Sequence, residues 1–461
     1  MDRRTFLRLT AISATLAGCG GGSDGPPLAT GPNVLVLVID DLNDWVGYLG
    51  NTQVRTPNID RLAARATAFT RNYCNDPLCG PSRSSAWSGL AVQDTKVFDN
   101  FTSLQDVNPT AILLPDWMAR HGYEVASYGK VNHVYAAITE PVPAVQPASN
   151  LVCSGYPLAP TDGLFDWGAL DVDDSVMPDY QYAQEGIDFI NKAHTQPFML
   201  NVGFVRTHVA FYVPQKYVDM FPIASVQVPD VPADDLADIP PVGQQIALFQ
   251  NAQSCITGQG LWAQAVQYYL ASIAFVDTQV GRVLDALDAS PHADNTIVVL
   301  WSDNGFHLGQ KFHWHKQALW EQTTRVPLLI RSPGQTAGTR VDSAVSLIDT
   351  MPTLLGMTGV PAPYTLAGRS LQPLLADATT AWDHPVLMTN AVMDAKNQFA
   401  TGVFDYAVRT NQYRYIRYRD RTTELYDDLA DSSEFTNLAS QPAYASLIAS
   451  LDALMPSPTG S

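Results

Sequence analysis

The stretch Asn33–Asp41, NVLVLVIDD, places six apolar residues in a row ahead of two carboxylates. A strand with one wet face alternates apolar and polar residues. A run without alternation reads instead as a strand buried on both faces, the kind found in parallel α/β sheets. Similar runs recur at 197–204, 296–301 and 326–330. Between the second and third lies a helical pattern, Val266, Tyr269, Leu270, Ile273, Val280, Leu284 and Leu287, mostly at three- and four-residue steps. Strands alternating with helices predict an α/β fold built on a large, doubly wound, mostly parallel sheet flanked by helices, with ligands gathered beyond the carboxyl ends of strands.

Two acidic clusters fall at such ends, Asp40-Asp41 and Asp303-Asn304-Gly305, the latter after TIVVLWS. Adjacent carboxylates repel unless a cation sits between them. Three Asp carboxylates and an Asn amide oxygen form a hard, all-oxygen set suited to Ca²⁺, and less to Mg²⁺, which usually keeps several waters. Each cluster taken singly also reads as a helix cap or a turn.

The chain has 461 residues, more than one comfortable hydrophobic core, so a second, smaller unit is expected. Tyr- and Arg-rich strands such as 413–418, then a helix near Ala443–Leu454, predict a C-terminal α+β subdomain over 376–461 beside a catalytic domain over 33–375. The Pro- and Asp-rich segment 214–264 predicts an irregular surface excursion. Net charge is −18, which excludes nucleic acid as a partner class and repels long polyanions. Any anionic substrate must be drawn by local basic groups.

Residues 1–18 read as an export signal: Arg3-Arg4 is of twin-arginine type, and a short apolar stretch from Leu9 to Ala17 follows. Leu16-Ala17-Gly18-Cys19 has the form of a lipobox, so Cys19 is expected to carry a lipid anchor, with 19–32 as a flexible linker. Ordinary secretion with Cys19 incidental is the alternative. The expected location is the periplasm, the outer membrane or the cell surface. With Cys19 and Cys79 assigned elsewhere, Cys74, Cys153 and Cys255 allow at most one disulfide among them.

Cys79-Gly80-Pro81-Ser82-Arg83 with Gly89 fits C-x-P-S-R-x-x-x-x-x-G. Alone it also reads as a buried cysteine before a Pro-Ser turn. Together with VLVLVIDDL, TPNIDRLA, YGKVNH, FVRTH, SDNG, HKQALWE, RVPLLI, VSLIDTMPTLL and the closing ELYD, it makes the chain resemble the type I sulfatases of the alkaline phosphatase superfamily, most of all the iduronate-2-sulfatase branch. The resemblance implies that Cys79 is matured to formylglycine by a formylglycine-generating enzyme. It also implies that Asp40, Asp41, Asp303, Asn304 and modified Cys79 hold the cation, and that Arg83, Lys130, His133, His208 and Lys316 complete the catalytic set. Many relatives have His where Asn304 stands. Two residues separate Lys130 from His133, the spacing of that branch, whereas Arg206-Thr207 precedes His208 where the branch commonly has Lys-Pro.

The implied chemistry is sulfate ester hydrolysis. One hydroxyl of a hydrated aldehyde attacks sulfur with Asp303 as base, and the other later expels sulfate with help from His133. If a helix starts near Pro81, Arg83 lies on one face with Cys79, and the helix N-terminus adds backbone donors for an anion. Arg83, Lys130 and Lys316 would then clamp ester oxygens while His208 or Lys316 protonates the leaving alcohol. The expected substrate is a short sulfated saccharide, 2-O-sulfated at a terminal uronate. It would enter a pocket made basic by Arg83, Lys130, Arg206, Lys311 and Lys316. Phosphate mono- or diester hydrolysis and non-catalytic binding of sulfoglycans are the competing expectations.

Overall fold

Asn33–Ile39 forms β1 at the centre of the large sheet, and Val34 to Ile39 are wholly buried. Leu35, Leu37 and Ile39 pack into the core on one face, Val34, Val36 and Val38 into the core on the other. Burial on both faces is what the unbroken apolar run requires. At ~1.5–3 kcal/mol per side chain, the six contribute at most ~9–18 kcal/mol, because unfolded chains already bury some surface. The computed structural model describes residues 29–133, 166–393 and 399–456. The export signal, Cys19 and Cys153 lie outside these, as does most of the linker.

Six further strands complete the sheet: β2 (Thr67–Tyr73), β3 (Glu124–Gly129), β4 (Phe198–Phe204), β5 (Thr296–Ser302), β6 (Leu328–Arg331) and β7 (Thr339–Ser346). Their order is β7-β2-β6-β5-β1-β4-β3. β1 runs parallel to β4 and β5, β3 to β4, and β7 to β2. β6 is antiparallel to both its neighbours, so the sheet is mixed at that one strand. Its run is as apolar as the others because covered faces, not strand direction, set that pattern.

Helices cover both faces. α1 (Cys79–Ser88) lies on one side, while α2 (Pro178–Asn191) and the 28-residue α3 (Trp262–Ala289) pack together on the other. All seven apolar positions anticipated for α3 are buried. The 214–264 segment departs from the irregular excursion expected: it holds one- and two-turn helices at Gln215–Val218, Pro241–Ala247 and Ala252–Gly258. Pro241 occupies a first-turn position, where its missing N–H costs no bond. Cys255 is disulfide-bonded and Cys74 is a free, buried thiol, which removes every pairing through Cys74.

The C-terminal unit is an antiparallel sheet of β8 (Val386–Met393), β9 (Phe399–Arg409), β10 (Tyr413–Arg417) and β11 (Thr423–Asp427), followed by α4 (Ala445–Asp452). It docks on the catalytic unit through buried polar groups. Glu424 accepts from Trp320 Nε1 at 2.8 Å and from the hydroxyls of Tyr418 and Tyr426 at 2.7 Å. Arg414, wholly buried, pairs with Glu434 at 2.5 Å and with Glu321. Buried charges set this way fix the docking geometry, because removing one partner strands the other. Among the described residues no helix is long and apolar enough to cross a membrane.

Candidate active site

Strand register assembles the site. Ile39 of β1 pairs with Ser302 of β5, so the next residues, Asp40-Asp41 and Asp303-Asn304, leave the sheet side by side. On the other side Ile39 pairs with Phe204 of β4, and Gly203 with Gly129 of β3. Four parallel strands thus end on one edge and deliver Lys130, Arg206-Thr207-His208, Asp40-Asp41 and Asp303-Asn304 to one place, as the strand-end rule demands. Glycine is required where β3 meets β4: a Cβ on Gly129 would lie 2.1 Å from the Gly203 carbonyl oxygen, and Gly129 has φ +69°.

α1 supplies Cys79 and Arg83 from below. It starts at Cys79, two residues before Pro81, and every one of its residues is buried. Gly89 ends it in the left-handed conformation, φ +66°, which accounts for the last glycine of the Cys79 motif. The N–H of Gly80 is already taken by Asn100 Oδ1 at 2.8 Å and that of Ser82 by the Leu78 carbonyl at 3.0 Å. The anticipated use of the helix N-terminus as an anion cradle is reduced accordingly.

Side chains of Cys79, Arg83, Lys130, His208, Lys316 and the three aspartates converge. Cys79 Sγ lies 3.4 Å from Asp40 Oδ1, 3.7 Å from Asp41 Oδ1 and 2.7 Å from Lys316 Nζ. Lys316 Nζ also binds Asp41 Oδ1 at 2.5 Å, and Lys130 Nζ binds Asp40 Oδ2. Arg83 has no exposed surface: Nε reaches Asp303 Oδ2 at 2.7 Å, Nη2 reaches Asp40 Oδ1 at 3.1 Å, and Nη1 meets the carbonyls of Lys130 and Val131. With all three nitrogens on protein acceptors, Arg83 braces carboxylates instead of facing an ester. His208 turns Nε2 toward Asp41 Oδ2 at 3.8 Å while Nδ1 meets the Val209 carbonyl at 2.5 Å, so Nδ1 carries a proton.

Electrostatics follow from burial and charge count. Burial opposes ionisation of Asp40, but Lys130, His208, Arg83 and Lys316 outweigh it and hold the carboxyl well below the usual range. Asp41 is lowered likewise against its burial, chiefly by Lys316 and His208. Burial, with Asp40 and Asp41 adding to it against Arg83, raises Asp303. Burial and then the Asp40 carboxylate push the Cys79 thiol well above its ordinary value. An unmodified Cys79 is therefore a poor nucleophile. Burial, then Lys130, drives His133 down to about 2, so its ring is neutral, with a buried Nδ1 that has no hydrogen-bond partner among the described residues.

The donor set fits a hard cation. Asp40, Asp41, Cys79 and Asp303 each offer a ligand atom, and these atoms lie within 4.8 Å of one another. Two buried oxygens, Asp41 Oδ2, with only His208 Nε2 near it at 3.8 Å, and Asn304 Oδ1, have no hydrogen-bond partner among the described residues. An orphaned buried carboxylate oxygen is costly unless something positive meets it. Asp41 itself sits in the left-handed region at φ 57°, held by Tyr269, whose hydroxyl donates to the Asp41 carbonyl at 2.9 Å and accepts the Asn43 N–H at 3.1 Å.

Lys316 sits in a loop whose neighbours are strained: Lys311, Phe312, His315 and Gln317 have φ of 55°, 54°, 118° and 66°. Such backbone persists only where the surroundings over-determine it. Here the His313 ring bonds the carbonyls of Ala247 at 3.2 Å and Lys316 at 3.0 Å, and the Gln317 N–H donates to the Pro77 carbonyl at 3.0 Å. Two basic residues expected in the pocket are engaged elsewhere. Lys311, 1% exposed, binds Asp235 Oδ1 at 2.6 Å and the Glu434 carbonyl, bracing the C-terminal unit. Arg206 donates to the carbonyls of Tyr212 at 3.0 Å and His208 at 3.4 Å, supporting the His208 turn. Sequence reasoning missed Tyr269, counted only as apolar core, and Ser82, whose hydroxyl donates to the Asp303 carbonyl at 2.6 Å.

Residues 32–360 match the family model described as Sulfatase, and residues 309–457 match that of the N-sulphoglucosamine sulphohydrolase C-terminal region. The chain belongs to the sulfatase family. It is 37% identical over 449 residues to a Formosa agariphila protein described as a sulfatase, covering 92% of this chain and 86% of that protein. Mouse iduronate 2-sulfatase is 29% identical, over 72% of this chain and 69% of its own. Among solved structures, a 2-O GAG sulfatase aligns with TM-score 0.71 at 25% identity, over 92% of this chain and 91% of that one. A phosphonate monoester hydrolase of Agrobacterium radiobacter aligns with TM-score 0.76 at 23% identity, over 92% of this chain and 94% of that one, and shares the fold. Family membership makes this sulfatase a hydrolase of sulfate esters.

Proposed function

We propose that this sulfatase is an exported, formylglycine-dependent enzyme that removes a 2-O-sulfate from the end of an acidic saccharide. The observation that carries it is the placing of Cys79. Its thiol is buried, pushed toward the protonated form, and enclosed by Asp40, Asp41 and Lys316. Such a thiol does no nucleophilic work as it stands, so the attacking group is assigned to a modified side chain at this position. Once formed, the hydrated aldehyde supplies one hydroxyl to attack sulfur and a second to expel the sulfate. Asp40, Asp41, Asp303, Asn304 and the modified side chain would hold Ca²⁺, which supplies charge stabilisation to the ester oxygens.

The remaining work belongs to the chain's own groups. Lys130 and Lys316, whose Nζ atoms flank Cys79 at 3.9 and 2.7 Å, hold sulfate oxygens. Arg83 positions Asp40 and Asp303. Each oxygen of Asp303 already accepts a hydrogen bond, so it serves better as a fixed anchor than as the base expected from sequence. His208, fixed through Nδ1, presents Nε2 for proton transfer to the leaving alcohol. His133, whose Nδ1 has no hydrogen-bond partner among the described residues, accepts a proton when sulfate departs, the sulfate's negative charge offsetting the burial and the Lys130 charge that otherwise weaken the ring as a base.

The 2-O and uronate preference is supported by the Lys130–His133 spacing and by the names of the 2-O GAG sulfatase and iduronate 2-sulfatase relatives. The expectation of short, terminal substrates rests on the net charge of −18. A sulfate-release screen over sulfated saccharides, with phosphate mono- and diesters as controls, tests the assignment. Release of terminal 2-O-sulfate should lead; faster turnover of phosphodiesters or of internal sulfates in long chains would overturn it. Export is tested by Arg3→Lys with Arg4→Lys, which should strand matured precursor inside the cell, whereas normal export would remove the twin-arginine route.

A further inference from the structure

Beside the reaction centre lies a cavity of about 180 Å³ that no part of the proposed chemistry uses, lined by Gln245, Phe249, Lys316, Gln317, Asn390 and Arg419 among others. It has three walls: the strained loop that carries Lys316, the short helix Pro241–Ala247 with the turn after it, and the C-terminal unit. The cavity shares Lys316 with the reaction centre, where Lys316 Nζ lies 2.7 Å from Cys79 Sγ. Its volume holds several waters, and so leaves room for a polar substituent of a sugar.

Among the described residues its lining holds no carboxylate, in a protein of net charge −18, and the cations there are Lys316 and Arg419. Arg419 is pre-set. Asp405, wholly buried, accepts the Arg419 backbone N–H at 2.7 Å and its Nη1 at 2.8 Å, while the Arg419 side chain remains 30% exposed. Nε and Nη2 make no hydrogen bond to the described residues and are left as a planar pair of donors. That pair matches a carboxylate or a sulfate in two-point contact. Gln317 and Asn390 join two of these walls, since Asn390 Nδ2 donates to the Gln317 carbonyl at 3.0 Å, and Phe249 offers an apolar face.

We propose that Arg419 recognises a second anionic substituent, a carboxylate or a further sulfate, on the sugar whose ester is cleaved, and so sets the preference for acidic saccharides. This rests on the sulfatase assignment above, and makes the C-terminal unit a wall of the substrate site as well as a structural partner. The test compares kcat/KM for a 2-O-sulfated uronoside with that for the 2-O-sulfated neutral hexoside of the same linkage, in wild type, Arg419→Gln and Arg419→Lys, each checked for an unchanged melting temperature. The acidic-to-neutral ratio should fall at least tenfold in Arg419→Gln, mostly through KM, and recover in part in Arg419→Lys. A ratio unchanged in Arg419→Gln while wild type cleaves both esters would overturn the role of Arg419 and leave the sulfatase assignment standing. If Arg419→Gln loses its fold, saturation of wild type by the desulfated uronoside as inhibitor decides: it should compete at least tenfold better than the neutral product, and equal competition refutes the proposal. No sulfate release from any ester by wild type would instead defeat the underlying assignment.

Discussion

Arg83→Ala is the perturbation whose cost can be worked from geometry. The guanidinium is wholly buried and satisfies Asp303 at 2.7 Å, Asp40 at 3.1 Å and two carbonyls. Around Cys79, three carboxylates (Asp40, Asp41, Asp303) face three cations (Arg83, Lys130, Lys316), so the substitution leaves one buried negative charge unmatched. Breaking a buried pair by removing one partner costs ~3–5 kcal/mol. Losing the packed methylenes adds ~2 kcal/mol at ~0.8 kcal/mol each. The sum is comparable with the ~5–15 kcal/mol stability of a whole domain. Urea unfolding followed by tryptophan fluorescence should therefore show a large fall in midpoint, partly offset by saturating Ca²⁺, which supplies positive charge to the same carboxylates. Arg83→Lys should recover only part, because a point charge cannot bridge both. A midpoint for Arg83→Ala equivalent to less than about 1 kcal/mol, with or without Ca²⁺, would refute the charge-balance account.

Chelation of divalent cations should lower both melting temperature and sulfate release, with Ca²⁺ restoring both better than Mg²⁺; scanning calorimetry and a release assay showing neither change would remove the metal site. His208→Ala should lower kcat by ~10²–10⁴ on alkyl sulfates, and far less on aryl sulfates, whose leaving groups need no proton; equal losses on both would show that His208 does not serve the leaving group. Burial pushes Asp349 up to about 6, against hydrogen bonds from the Arg369 and Ser346 N–H groups, so the folded state binds the proton more tightly than the unfolded one. Stability from this group is present below about pH 4 and lost as pH rises through about 6. Relative to wild type, Asp349→Asn should thus gain ~3 kcal/mol between those limits, from the two-unit shift at 1.36 kcal/mol per unit, and a pH-independent difference in urea midpoints would exclude it.

Much of this architecture was legible because its signals are local. The run Val34–Ile39 specifies a doubly buried strand, and the acidic pairs that follow β1 and β5 meet because parallel register leaves them nowhere else to go. The antiparallel direction of β6 was not legible, since burial on both faces produces the same composition in either direction. Edge strand β3, only partly buried and carrying Glu124, Ser127 and Gly129, gives no apolar run to detect. Within the site, residue identity told which groups are chemically able and not which are already engaged. Lys311 and Arg206 read as pocket cations, yet one is spent on Asp235 and the other on the Tyr212 and His208 carbonyls. Arg419 lies more than a hundred residues after Asp303 and carries no motif, so only the packing of the C-terminal sheet brings it beside Lys316.

Mass spectrometry of the peptide spanning Cys79, run in parallel with sulfate release on the same preparations, tests the central claim most directly. Protein matured together with a formylglycine-generating enzyme should carry an aldehyde in place of the thiol. Sulfate released per mole should rise in proportion to the modified fraction and vanish in Cys79→Ala, whose fold should persist. Full turnover by protein whose Cys79 is wholly thiol, or by the Cys79→Ala variant, would contradict it.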